Sequence, residues 1–187
     1  MQIADPRLIL QSECPKFISK SGVDLVSEII QWKTGLWNHS MLMRTPGQVV
    51  WQGLQIVEKP ISLYMKKYVR MDFFSLVETN PSAVSAMNNY INRRMAGAWY
   101  TQTYDFLGIF GQAIGVPAIH TPGLDYCSAF ELAVLRAAAP FLSVANASVI
   151  MNQKLESDPQ DLHDMYVNNP KVFNNDGQYE GDEGVTC

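Results

Sequence analysis

Trp37-Asn38-His39-Ser40-Met41-Leu42-Met43-Arg44-Thr45-Pro46-Gly47-Gln48-Val49-Val50-Trp51-Gln52 reads as two short strands around a tight turn. Residues 38–44 and 49–52 carry the apolar density of strands, and Thr45-Pro46-Gly47-Gln48 is a turn signal. Together they predict a β-hairpin. With the turn at residues 45–48, Arg44 faces Val49 and Gln52 faces Met41. Side chains alternate along a strand, so His39 shares the face of Met41 and has Gln52 as a diagonal neighbour within reach. A one-residue change of loop length turns Gln52 to the other face.

Outward from the hairpin, helices and strands are mixed. Val23, Val26, Ile29 and Ile30 predict a helix over 21–33, capped by Ser21 and ended by Gly35. A strand is expected over Tyr68–Val77, where Val69, Phe73 and Phe74 stand out. Asn80-Pro81 is a cap followed by proline at the first helical position, and Val84, Met87, Ile91 and Met95 continue that helix to Gly97. A further helix is expected over about 105–114, then a Pro/Gly-rich loop over 115–123 that holds His120. Residues 127–139 read as a buried helix stopped near Pro140, and Ser157-Asp158-Pro159 caps a short helix over 157–167. Residues 1–173 are expected to form one α+β domain with a small antiparallel sheet packed by helices. Residues 174–187 carry Asp176, Glu180, Asp182 and Glu183 among glycines and no apolar periodicity, and read as a flexible, dispensable acidic tail.

Composition narrows the function. Of 187 residues, 47% are hydrophobic and 17% charged, enough for a real core. A net charge of −4 leaves no electrostatic footprint for nucleic acid or an anionic membrane. No stretch approaches the roughly 20 apolar residues of a membrane span, so no stable insertion is expected. Met1-Gln2-Ile3-Ala4-Asp5-Pro6 has no basic and no apolar signal region, which points to cytoplasmic synthesis, with release or export by another route left open. Neither a cofactor nor a metal is expected, because no His/Asp/Glu cluster has ligand spacing.

The three cysteines, Cys14, Cys127 and Cys187, are too few and too scattered for a disulfide framework. Cys14 precedes Pro15 in an irregular stretch, and Cys187 ends the polar tail. Cys127 differs. It follows the Pro/Gly loop and falls in the first turn of the 127–139 helix, capped by Asp125 or Tyr126. There the unpaired N–H groups and the helix dipole favour a thiolate and an adjoining oxyanion. The ordinary reading of such a residue is a small buried hydrophobe.

A thiolate catalyst needs a base that also protonates the leaving group. His39 lies on a rigid strand, the better platform for a group that must hold its geometry. His120 and His163 read as surface or loop hydrogen-bonding residues. Gln52, as His39's neighbour, is the candidate that fixes the imidazole tautomer.

Five segments in order resemble a known family, the permuted NlpC-like papain-fold cysteine hydrolases, with lecithin retinol acyltransferase a more distant relative. They are Thr34-Gly35-Leu36-Trp37-Asn38-His39, Val49-Val50-Trp51-Gln52-Gly53, Tyr104-Asp105-Phe106, Tyr126-Cys127-Ser128-Ala129-Phe130 and Ser157-Asp158-Pro159-Gln160-Asp161-Leu162. The resemblance spans roughly residues 20–173, and histidine before cysteine is the permuted order. It implies Cys127 as nucleophile, His39 as base and Gln52 as third residue, facing each other across a groove. Relatives often carry Glu or His at the third position, and the Gly-Asp that commonly opens their first strand has only Asp5 as a counterpart. The resemblance further implies cleavage of an amide bond in a short, cell-wall-type peptide through an acyl-enzyme. An acyl-lipid or thioester substrate on the same fold, and a catalytically silent binding module, are the alternatives.

Overall fold

A computed structural model describes residues 15–21, 36–37, 39–52, 56–65, 69–97 and 127–181, with 51 and 52 placed by their backbone alone. Among the described residues six strands make one antiparallel sheet: β1 (Lys16–Ser21), β2 (His39–Thr45), β3 (Gln48–Gln52), β4 (Ile56–Pro60), β5 (Arg70–Leu76) and β6 (Phe173–Glu180). Their order across the sheet is β4-β3-β2-β1-β5-β6. Four α-helices accompany them among the described residues: α1 (Pro81–Met95), α2 (Cys127–Ala138), α3 (Val144–Asn152) and α4 (Pro159–Asn168). The chain is α+β, as its pattern of elements implies. Of the helix expected over 21–33, Ser21 instead ends β1 and the rest lies outside the described residues, as do the helix expected over about 105–114, the loop with His120, and the segments Asp125-Tyr126 and Tyr104-Asp105-Phe106.

Strand alternation sorts the apolar residues into two clusters. Phe17, Leu42, Val50, Phe74 and Leu76 face the helices, packing with Val84, Met87 and Ile91 of α1 and with Phe130, Val134 and Leu135 of α2. Ile18, Met41, Val49, Val69 and Met71 form a separate buried cluster, with Met43 and Phe73 against it. Each pair of sequence neighbours, such as Phe17 and Ile18 or Met41 and Leu42, divides between the clusters. A strand apolar on both faces has no solvent side, and it reads as a continuous run. That is why Met41-Leu42-Met43 shows no simple polar alternation.

The helices begin where the caps indicate. The Asn80 side chain accepts from the Ala83 N–H at 2.9 Å, and Pro81 follows in the first turn of α1. Asp158 and Asp161 form a reciprocal capping box on α4, with Pro159 behind the cap. α2 passes into a 3₁₀ turn, Ala139–Phe141, at Pro140. Ser143 caps α3, and Glu78 accepts from the Ser143 N–H and from Asn146. Those hydrogen bonds, the backbone one foremost, hold the Glu78 carboxyl below its ordinary pKa.

Two expectations are corrected. The hairpin is present, with Gly47 at φ +78°, a conformation that glycine adopts without strain. Its register differs. Thr45 pairs with Gln48, but Met43 pairs with Val49 and Leu42 with Val50, so Arg44 is an extra residue on β2. A Pro-Gly turn of this kind twists against the strands it joins, and a bulge absorbs the mismatch. The bulged Arg44 ion-pairs with Glu58 on β4 at 3.0 Å and hydrogen-bonds Asn92 of α1.

The second correction concerns the expected tail. Residues 174–180 are not loose; with Phe173 they form β6, paired with β5 from Leu76↔Phe173 to Arg70↔Glu180. Its side chains are mostly exposed, so apolar periodicity could not reveal it. Backbone hydrogen bonds hold it, with Asp176 salt-bridged to Lys16 at 2.8 Å and bonded by Ser75 Oγ at 3.1 Å. Residues 182–187 lie outside the described residues. Truncation after Phe173 is therefore expected to destabilise the fold by on the order of 3 kcal/mol, at roughly 1 kcal/mol per lost ladder bond after discounting fraying. That corresponds to a Tm drop of about 6–12 °C in thermal unfolding; an unchanged Tm would refute the role of β6.

Candidate active site

The sheet presents a polar row to the helices at one end. Ser40 on β2 pairs with Ser19 on β1, and Ser19 pairs with Asp72 on β5. All three are buried. They lie two residues from Leu42, Phe17 and Phe74 respectively, hence on the helix face. Of this row Asp72 finds a partner in His163 of α4, whereas the Ser19 and Ser40 hydroxyls have none among the described residues.

α2 packs on β2, β3 and α4. Cys127 is its first described residue, a thiol outside any disulfide with 3% of its surface exposed. One turn further, Glu131 is 1% exposed and accepts a hydrogen bond from Tyr166 Oη of α4 at 2.8 Å. Its second oxygen, Oε2, has no hydrogen-bond partner among the described residues. Burial drives the Glu131 pKa up from 4.5 to about 8; the Tyr166 hydroxyl and the nearby Ser40 hydroxyl oppose that rise. Ser40 lies beside the carboxyl without reaching ordinary hydrogen-bond geometry. Glu131 is therefore a neutral carboxylic acid at neutral pH. Burial, and then the neighbouring Glu131, push the Tyr166 pKa well above its ordinary value.

A second polar pair sits over β5. His163 Nε2 of α4 lies 3.1 Å from Asp72 Oδ2, and the ring stacks on Trp37 with centroids 4.4 Å apart. Phe74 meets the ring edge-on, and the Arg70 guanidinium lies over Trp37 while its Nε reaches Asp72 at 3.4 Å. The Trp37 backbone N–H donates to Gln160 Oε1 at 3.3 Å. His163 is thus a largely buried member of the helix–sheet junction, not the surface or loop group that its place in a polar helix implied. The partner that buries it, Asp72, lies 91 residues away and left no local signal.

The candidate residues divide as follows. His39 opens β2 opposite Lys20 of β1 and is half-buried. At its register position it shares the face of Met41 and Met43, whereas α2 packs against the face of Ser40 and Leu42. Gln52 ends β3, paired with Ile56 of β4. The Arg44 bulge aligns its position with Ser40 rather than Met41. The register therefore does not put Gln52 and His39 on one face, contrary to the hairpin drawn from a four-residue turn alone. Sequence reasoning missed Glu131, Tyr166 and Asp72. Glu131 offered one signal: a lone acid in the apolar run Phe130-Glu131-Leu132-Ala133-Val134-Leu135. Among the described residues, no group of three His, Cys, Asp or Glu could hold a metal ion.

The sign of the Glu131 shift sets a pH dependence. The folded pKa is raised, so the unfolded chain ionises first as pH climbs above about 4.5. Stability is full below that pH and is lost progressively until about pH 8, where the folded acid also ionises. The stability lost across that window is on the order of a few kcal/mol. Glu131→Gln, a neutral isostere, is expected to remove that slope, so that it gains stability relative to wild type between about pH 5 and 8. Urea unfolding across this range checks it; parallel stability profiles for the two proteins would refute it.

No protein-family model matches the chain, and neither a curated protein nor a solved structure is found that matches it.

Proposed function

We propose that this chain is a cysteine hydrolase of the permuted papain-like kind, cleaving an amide bond with Cys127 as nucleophile. One observation carries the reading. A reduced, buried thiol stands at the start of described α2, which packs on β2, the strand that begins at His39. In this reaction the Cys127 thiolate attacks the carbonyl carbon and forms a tetrahedral intermediate. N–H groups in the first turn of the helix stabilise the oxyanion. A histidine protonates the departing amine, leaving a thioester that water then hydrolyses.

The resemblance supports His39 as that histidine. It is the first residue of β2, the strand on which α2 packs. With the hairpin bulge, the register no longer supports Gln52 as its orienter, and that role rests on the resemblance alone. A short cell-wall-type peptide is the substrate class that the resemblance supports.

A second reading, a silent binding module that keeps the fold, is favoured by the low exposure of Cys127 and by the opposite register faces of His39 and α2. Thiol chemistry separates the two. At about pH 5.5, roughly three units below the ordinary thiol pKa, only an activated cysteine alkylates readily. Iodoacetamide labelling read by mass spectrometry is expected to modify Cys127 at least about tenfold faster than Cys14 or Cys187. His39→Asn should lower that rate on the order of 10–100-fold, and His163→Asn should leave it within about twofold. Cys127→Ala should fold normally and lose hydrolytic activity. Labelling of Cys127 at the rate of an ordinary peptide thiol would establish the silent module, and a loss confined to His163→Asn would transfer the base to His163.

A further inference from the structure

We propose that Glu131 is a positioning residue for the Cys127 reaction, joining the helix that carries the thiol to α4 and β2. This rests on Cys127 being the nucleophile. Residues four apart in a helix lie on one face, with Cβ atoms roughly 5–6 Å apart, so Cys127 and Glu131 share one buried face of α2. From that place the Glu131 carboxyl accepts the Tyr166 hydroxyl of α4 at 2.8 Å, and it lies beside Ser40, the residue that follows His39 on β2. One side chain thus meets the two elements against which the thiol must be aligned. Apolar packing alone would cost less than burying an acid. Yet this acid is 1% exposed, and among the described residues no cation pairs with it and its Oε2 has no hydrogen-bond partner.

The carboxyl acts in its neutral form, which matters for the thiol. An ionised carboxylate one turn from Cys127 would oppose thiolate formation by on the order of two pKa units at an effective dielectric near 20. Burial holds Glu131 uncharged up to about pH 8. It therefore fixes geometry without that electrostatic penalty. Glutamine has the same shape, the same charge and a carbonyl acceptor for Tyr166. A short or apolar side chain lacks the acceptor.

The test uses the full chain and iodoacetamide labelling of Cys127 at about pH 5.5, on proteins first shown to be folded by thermal unfolding. Glu131→Gln is expected to label within about twofold of wild type. Glu131→Ala and Tyr166→Phe are expected to label on the order of 10-fold more slowly while still folded, the size of effect that loss of an orienting partner produces. If Glu131→Ala does not fold, Tyr166→Phe and Glu131→Gln decide the matter. A folded Glu131→Ala or Tyr166→Phe that labels like wild type overturns the proposal, and so does a Glu131→Gln as slow as the alanine variant. A wild-type Cys127 without acid reactivity instead removes the nucleophile itself, which distinguishes failure of the underlying reading from failure of this one.

Discussion

Burial of both faces of the sheet is the constraint from which the other features follow. Because β1, β2, β3 and β5 each send alternate residues into a different apolar cluster, a slip of one residue would exchange the two sets. Leu42 and Met41 are both apolar, but they fit different surroundings: α1, α2 and α4 above one, a methionine-rich cluster below the other. The register is pinned accordingly, and the one irregularity in the hairpin falls at Arg44, a long charged residue able to leave the ladder. Its guanidinium finds Glu58 and Asn92, so the bulge joins the hairpin to β4 and α1 rather than leaving a defect.

On the helix face, that same register aligns Ser40, Ser19 and Asp72 in one buried row. Buried polar groups are costly without partners, and two pairs meet the need differently. Asp72 takes His163, an ionisable partner, enclosed by Trp37 and Phe74. Glu131 takes a phenol and stays protonated. The first pair ties α4 to β5 and the second ties α2 to α4. Cys127 belongs to the second, four residues from its acid. The rings of Phe17, Phe74 and Phe173 pack on Tyr166, and Phe74 also meets His163, so one aromatic cluster links the two pairs.

The fold was legible where its cause is local. Asn80-Pro81 and Ser157-Asp158-Pro159 mark helix starts because capping involves atoms three residues apart, and Pro46-Gly47 marks a turn for the same reason. β1 and β4 were not read, since Lys16–Ser21 alternates between two buried faces and Ile56–Pro60 is a short edge strand ending in proline. Nor was β6, whose Asn174-Asn175-Asp176-Gly177-Gln178 is stabilised through its backbone and through Lys16, partners that no composition records.

For the candidate site, the sequence by itself determined the thiol and its helix. Cys127 heads an apolar run with Phe130, Val134 and Leu135 at helical spacing, and helical periodicity is a property of the segment alone. It also singled out the histidine-bearing strand, because the apolar residues after His39 and the Pro-Gly turn are local signals. Only the tertiary structure decided which faces meet. Whether Gln52 aligns with Met41 or Ser40 depends on one bulged residue, and a bulge arises from the competition between turn twist and the packing of two clusters. Whether Glu131 is charged depends on desolvation by elements distant in sequence. Pairing of His163 with Asp72 likewise requires β5 and α4 to be neighbours, which no local pattern encodes. Helix caps and turns are set by energies within a few residues; register, burial and pKa are set by what the rest of the chain places around them.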